Sequence, residues 1–199
     1  GLDAVKTGAE ITKMGKDGLL IGSKATQAAA GTSALGSAAS ALNNVNVYSA
    51  AANFGGKAIS KAYDDGAGNL TIGYGHTQDV KKGDVLGDGE NCKSEANELL
   101  MGDSTYHANK LRKIFTTWEG EGLNILITQG MFDALLSLSY NGGAGGIRRS
   151  DVIALLKTSQ TVDKDKLYKA AESIKKYRVS MPGHKPRREK EYERFIDGL

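Results

Sequence analysis

The amino-acid sequence predicts an α+β fold: a small antiparallel hairpin region, then a mainly helical lobe, preceded by a helical or flexible N-terminal arm. Three observations carry this prediction. Residues 64–75 set turn-forming Asp, Gly and Asn residues around the short run Leu70-Thr71-Ile72. From Ser94 onward apolar side chains recur at spacings of three and four. Residues 1–47 contain no aromatic residue and are dominated by Ala, Gly, Ser, Thr and Lys, a texture that differs from everything after Tyr48.

Taken in order, the arm (residues 1–47) has Leu19-Leu20-Ile21 as its one concentrated apolar group. Its Ala-rich stretch favours helix, and Gly31 and Gly36 weaken it, so it reads as one or two helices or a linker. The expected division is an arm over 1–47 and one domain over 48–199. Residues 48–62 are expected to form a short helix, Asp64–Gly68 a turn, Leu70–Tyr74 a strand ending at Gly75, and Lys81–Gly89 a turn-rich loop. A helix follows from Ser94 through Leu111, with Leu99, Leu100, Tyr106 and Leu111 as core contacts. Thr128 is the expected N-cap of a helix over Gln129–Tyr140, whose apolar face holds Phe132, Leu135, Leu136 and Ser139 or Tyr140. Ser150 or Asp151 opens another helix through Leu156, and Asp163 one running to about Tyr177. The last is expected over Arg187–Ile196, after Pro186, which cannot continue a preceding helix.

Composition narrows the functional classes. Hydrophobic residues make up 40% and charged residues 25% of 199, which suits a soluble globular domain. A net charge of +3 and a pI near 8.8 fall short of a dedicated nucleic-acid binder. Clusters such as Lys175-Lys176 and Lys185 to Arg188 leave that class only as a minor reading. The single cysteine, Cys92, excludes an internal disulfide and a Cys-based zinc site, and it reads as a small buried side chain rather than a nucleophile. The apolar runs are too short for stable membrane insertion, and no secretion signal opens the sequence. The start at Gly1 is expected to mark a piece of a larger polypeptide.

The informative segment is Ala62-Tyr63-Asp64-Asp65-Gly66-Ala67-Gly68-Asn69-Leu70-Thr71-Ile72-Gly73-Tyr74-Gly75-His76-Thr77. An Asp in such a turn is ordinarily a turn-former bonded to its own backbone. Thr71 lies six residues after Asp65, across a tight hairpin, within reach of a shared water. His76 reads as a structural support for the hairpin, because no second His or acidic residue stands at ligand spacing. His107 and His184 belong to no motif. The run Asn141–Gly146 lacks the Gly-Lys-Ser/Thr ending of a phosphate loop.

This segment resembles the active-site hairpin of the phage lysozyme (endolysin, muramidase) family, with Tyr-x-Asp, a turn, then Thr-Ile-Gly-Tyr-Gly-His. Two later segments resemble the same family in the same order: Leu126–Leu135 with Tyr140-Asn141-Gly142-Gly143, and Gly183–Phe195 with Arg187-Arg188 and Glu191. The resemblance covers about residues 48–196. It implies a lysozyme-like fold and a bacteriolytic glycosidase acting on peptidoglycan without cofactor or metal. In that role Asp65 is the base, and Thr71 its partner in positioning the attacking water. Thr77, Tyr140 and Ser150 match sugar-contacting positions, and Arg187 or Arg188 approaches the catalytic acid or is otherwise a solvated cation. The arm adds the expectation of a toxin or tail-associated module, such as a bacteriocin or secreted effector. Such a monomer would act in the periplasm or cell wall, meet an immunity protein as a possible partner, and bind no nucleic acid.

One departure is sharp. The family places a Glu-Gly pair about nine residues before the Asp, which in this sequence falls at Gly55 or Gly56. No Asp or Glu occurs from Val45 to Ala62, and a glycine donates no proton. Three accounts stand: an inactivating replacement at that position, or at Ala50, Ala51 or Ala52 in another register; transfer of the role to Glu119 or Glu121 in the loop after Trp118; or a non-catalytic glycan binder on a lysozyme scaffold.

Overall fold

The computed structural model describes residues 18–21, 57–123, 125–158, 163–180, 184–197 and 199. The element order is β1 (Gly18–Ile21), β2 (Ile59–Asp64), β3 (Leu70–Gly73), α1 (Glu90–Gly120), β4 (Ile125–Thr128), α2 (Gln129–Gly142), α3 (Ala144–Arg148), α4 (Asp151–Thr158), α5 (Lys164–Ile174) and α6 (His184–Ile196). The chain divides into two compact units, one of residues 47–106 and one of residues 1–46 with 107–199. The α+β class predicted from sequence holds. Among the described residues no helix is long and apolar enough to cross a membrane.

In the first unit β2 and β3 pair antiparallel, with Tyr63 opposite Thr71 and Asp64 opposite Leu70. The helix expected over 48–62 is therefore overturned where the structure describes it. Ile59–Asp64 is extended, because its backbone groups find partners on both sides. Beyond the β3 pairing, Ala62 N donates to Asp84 O at 2.9 Å and Leu86 N donates to Ser60 O at 2.8 Å. Alternation of exposed Ile59, Lys61 and Tyr63 with half-buried Ser60 and Ala62 marks the two faces of the strand. An irregularity between Ile59 and Tyr63 breaks the register with β3, and a local propensity reading does not foresee it.

α1 is longer than the sequence indicated. Its buried side is Cys92, Ala96, Ser104, Ala108, Leu111, Phe115 and Trp118. Tyr106, expected in the core, is 55% exposed. The small residues Ala96 and Ala108 take the inward positions, which a count of large apolar side chains overlooks. The segment Trp118–Gly120, read as loop, belongs to the end of this helix.

The second unit is organised around α2. Thr128 caps it as predicted, its hydroxyl accepting Met131 N–H at 3.1 Å. The single apolar face expected for this helix is an underestimate: every residue from Gly130 to Ser139 is buried. A helix covered on all sides is a central one, and here α6, α3 and β4 lie against it. Its polar members are accounted for by partners. Asp133 accepts from Gln129 Nε2 at 2.6 Å and from Arg194 Nη2 at 2.6 Å.

α6 begins at His184 rather than Arg187, so Pro186 lies in its first turn, where a missing N–H costs little. Asp163 caps α5 by accepting Lys166 N–H at 3.3 Å. The arm is corrected at four residues: Gly18–Ile21 is a strand, antiparallel to β4, in register from Gly18 opposite Thr128 to Ile21 opposite Ile125. The other arm positions lie outside the described residues.

Leu135 is fully buried in the centre of α2. Leu135→Ala is expected to lower unfolding free energy by about 2–5 kcal/mol through lost burial and a residual cavity, read from urea titrations followed by circular dichroism.

Candidate functional site

Each position of the hairpin turn is set by a carboxylate. The Oδ1 of Asp64 accepts the N–H groups of Gly66 at 2.8 Å and Gly68 at 3.3 Å. The Oδ1 of Asp65 accepts those of Ala67 at 2.8 Å and Asn69 at 3.1 Å, and its Oδ2 accepts Asn69 Nδ2 at 3.0 Å. Wrapping peptide N–H groups around two side chains this tightly turns Gly66 and Gly68 to φ of 82° and 86°, a region closed to most L-residues.

The same turn connects Asp65 to Thr71. The carbonyl oxygen of Asn69 accepts Asp65 N–H at 3.1 Å and the Thr71 hydroxyl at 3.2 Å. Both predicted residues are thus anchored to one peptide oxygen. Thr71 is buried, at 3% exposure. Hydrogen bonds from Asn69 and from the Ala67 backbone hold the Asp65 carboxyl below the ordinary aspartate range. It is ionised at neutral pH and suits a base, not a proton donor. Its Oδ2 accepts a single hydrogen bond from the turn, which leaves a lone pair for water.

His76 packs behind the hairpin. Its Nδ1 lies 2.9 Å from Asp103 Oδ2 and 3.1 Å from Oδ1, while its backbone bridges to Ile72. Sequence spacing hid this acidic partner, since Asp103 comes from α1. Thr77, next in the chain, is exposed.

The other resemblance-derived positions lie in the second unit. Tyr140, near the end of α2, is half-buried against the His107 ring at 5.7 Å. Ser150 is buried, its hydroxyl donating to Ile147 O at 2.6 Å and accepting Ile153 N–H at 3.5 Å, which makes it the cap of α4. Neither Arg187 nor Arg188 is a solvated cation, so that alternative is corrected. Arg187 Nε donates to Glu191 Oε1 at 3.1 Å and its Nη2 to Ser137 Oγ at 2.8 Å. Arg188 is completely buried and binds Glu191, Asn141 and the Tyr177 carbonyl.

The Gly-rich run after α2 has a packing reason. A Cβ on Gly142 would sit 2.4 Å from the Tyr177 hydroxyl, and one on Gly146 2.8 Å from it. Glu121 is exposed and ion-paired with Lys157 at 2.8 Å. The side chain of Glu119, and positions 50–52, 55 and 56, lie outside the described residues.

Comparison with known proteins places these features. The family profile described as Phage lysozyme matches residues 52–191. The endolysin of Bacillus phage PZA is 32% identical over 94 residues, covering 47% of this chain and 31% of its own length. The chain therefore spans about a third of that relative. Among solved structures, the endolysin from Escherichia coli O157:H7 phage FAHEc1 is similar at 25% identity with a TM-score of 0.58, over 79% of this chain and 94% of that one. The muramidase domain of SpmX from Asticaccaulis excentricus shares the fold at 22% identity and a TM-score of 0.57, over 75% and 94%.

The Asp65 geometry has a measurable signature. Its folded-state pKa is depressed, so its contribution to stability is present above the unfolded-state value and is lost as pH falls through the folded one. Carbon-detected NMR titration is expected to find Asp65 below the ordinary aspartate range in the parent protein. In Asn69→Ala, which removes the largest cause, the value should move up toward that range. An unchanged titration would contradict the turn geometry.

Proposed function

Because the chain belongs to the phage lysozyme family, we propose that it is a muramidase-type domain acting on the alternating N-acetylmuramic acid and N-acetylglucosamine strand of bacterial peptidoglycan. It carries the water-activating half of the reaction without the proton-donating half. Residues 48–199 form the glycan-handling part and residues 1–47 an arm. The reading rests on one observation: a carboxylate held ionised in a hairpin turn, with a threonine hydroxyl tied to the same peptide oxygen.

In this proposal Asp65 Oδ2 takes the proton of a water as its oxygen attacks the anomeric carbon. Thr71, whose hydroxyl donates its hydrogen bond to the Asn69 carbonyl oxygen, accepts a hydrogen bond from that water and orients it. The transition state is oxocarbenium-like, and the departing sugar oxygen needs a proton from the opposite side of the bond. Asp65 cannot supply it, being both ionised and on the attacking side. Segment 45–62 offers no carboxyl, and exposed, ion-paired Glu121 is unsuited to the task. Thr77, Tyr140 and Ser150 are taken as sugar contacts, with Arg187 and His76 as supports. A second reading, a glycan-binding module that does not cleave, is favoured by that absence of an acid. It keeps the same substrate and loses the chemistry.

Lysis assays separate the two. Turbidity clearing of peptidoglycan by the chain as it stands, by Gly55→Glu and by Gly56→Glu is the measurement. One of the two replacements is expected to raise the rate by a factor of about 100 to 10,000, the usual worth of a positioned general acid or base. Adding Asp65→Asn to the active replacement should remove that gain. Wall binding without clearing in any version would favour the binding module, and no wall binding at all would overturn both readings.

A further inference from the structure

Tyr63 heads the Tyr-x-Asp pattern, and nothing in the proposed reaction uses it. It is also placed unlike an ordinary aromatic residue. It stands directly opposite Thr71 across the β2–β3 ladder, and directly opposed residues project from the same face of a sheet. The two differ in exposure, Thr71 at 3% and Tyr63 at 36%. Tyr63 is thus the more open of the two on the face that holds the candidate water-positioning hydroxyl, two residues before Asp65. It is also firmly seated. β2 is hydrogen-bonded to β3 on one edge and, through Ala62 and Ser60, to residues 84–86 on the other. Ile59, Lys61 and Val85, the last bridged to Lys61, are exposed along this stretch, and about a third of Tyr63 is open to solvent beside them.

We infer that Tyr63 is a sugar-binding residue, its ring forming the platform on which one N-acetylated pyranose of the glycan strand lies beside Asp65 and Thr71. The inference rests on the muramidase reading and deepens it. A pyranose presents a face of axial C–H groups, and an aromatic ring offers a flat, polarizable surface with a negative quadrupole that complements it. A ring of this kind loses little conformational freedom on binding, and a strand-borne platform holds its position better than a loop. The occupant follows from continuity with the hairpin. A glycan whose reacting carbon meets a water activated by Asp65 and Thr71 passes close to Tyr63, the cross-strand neighbour of Thr71.

The test is binding rather than turnover, so the missing acid does not interfere. The full chain, Tyr63→Ala and Tyr63→Phe are titrated with a soluble oligomer of N-acetylglucosamine and sedimented with insoluble peptidoglycan. Far-UV circular dichroism and thermal midpoints check folding. Stacking predicts that Tyr63→Ala weakens binding about tenfold, whereas Tyr63→Phe, which keeps the ring, binds like the parent. In the parent, the Tyr63 ring protons should shift on titration, a reading that survives if the alanine variant misfolds. Parent-like binding by Tyr63→Ala, a loss in Tyr63→Phe as large as in the alanine variant, or unmoved ring protons in a protein that binds would overturn the inference alone. Failure of the parent to bind either glycan would overturn the muramidase reading and take the inference with it.

Discussion

The hairpin depends on a single constraint: the carboxylate of Asp65 is both the fastener of the turn and the group with chemistry to offer. Three donors from Ala67 and Asn69 converge on it, and Asp64 holds Gly66 and Gly68 alongside. Side-chain acceptors take the place of backbone partners, which is how a turn of this length satisfies its N–H groups. The same donors favour the charged form of Asp65. Fold and charge are coupled here, because the bonds that close the turn also hold this carboxyl ionised.

The second unit solves a different problem, that of burying charge. Arg188 and Glu191 are both inaccessible to solvent. A buried pair is tolerable when its remaining donors and acceptors are also satisfied. That condition is met by Asn141, Ser137, Arg187 and the Tyr177 carbonyl. The network draws together α2, α6 and the turn after α5. Arg187 remains a quarter exposed at its margin. A helix as apolar on all sides as α2 specifies burial but not orientation; directional bonds from Arg188, Arg194 and Glu191 supply the orientation.

A sugar-binding role for Tyr63 fits the same division of labour. The turn fixes Asp65, the strand pairing fixes Thr71, and the same face of that pairing carries an aromatic side chain that is partly open to solvent. Sequence inspection quotes Tyr63 only as part of the Tyr-x-Asp pattern, because it does not foresee the strand that carries it. Cross-strand register and exposure, neither of them local quantities, distinguish it.

Much of this protein was legible in its residues by themselves. The α+β class, the Asp64–Gly68 turn, the strand at Leu70, and the caps at Thr128 and Asp163 depend on short-range chemistry, since a capping or turn-forming side chain acts within a few residues of itself. The family resemblance could also be read directly, because its motifs are runs of sequence. Only the tertiary structure decided the rest. Ile59–Asp64 became a strand because partners on both edges were available, Tyr106 was displaced from the core by Ala96 and Ala108, and Gly18–Ile21 found β4 across more than 100 residues. Asp103 reached His76 from 27 positions away, and Arg188 left solvent for Glu191, Asn141 and Tyr177. Long-range pairing and burial depend on which distant groups meet, and no local pattern of residues encodes that meeting.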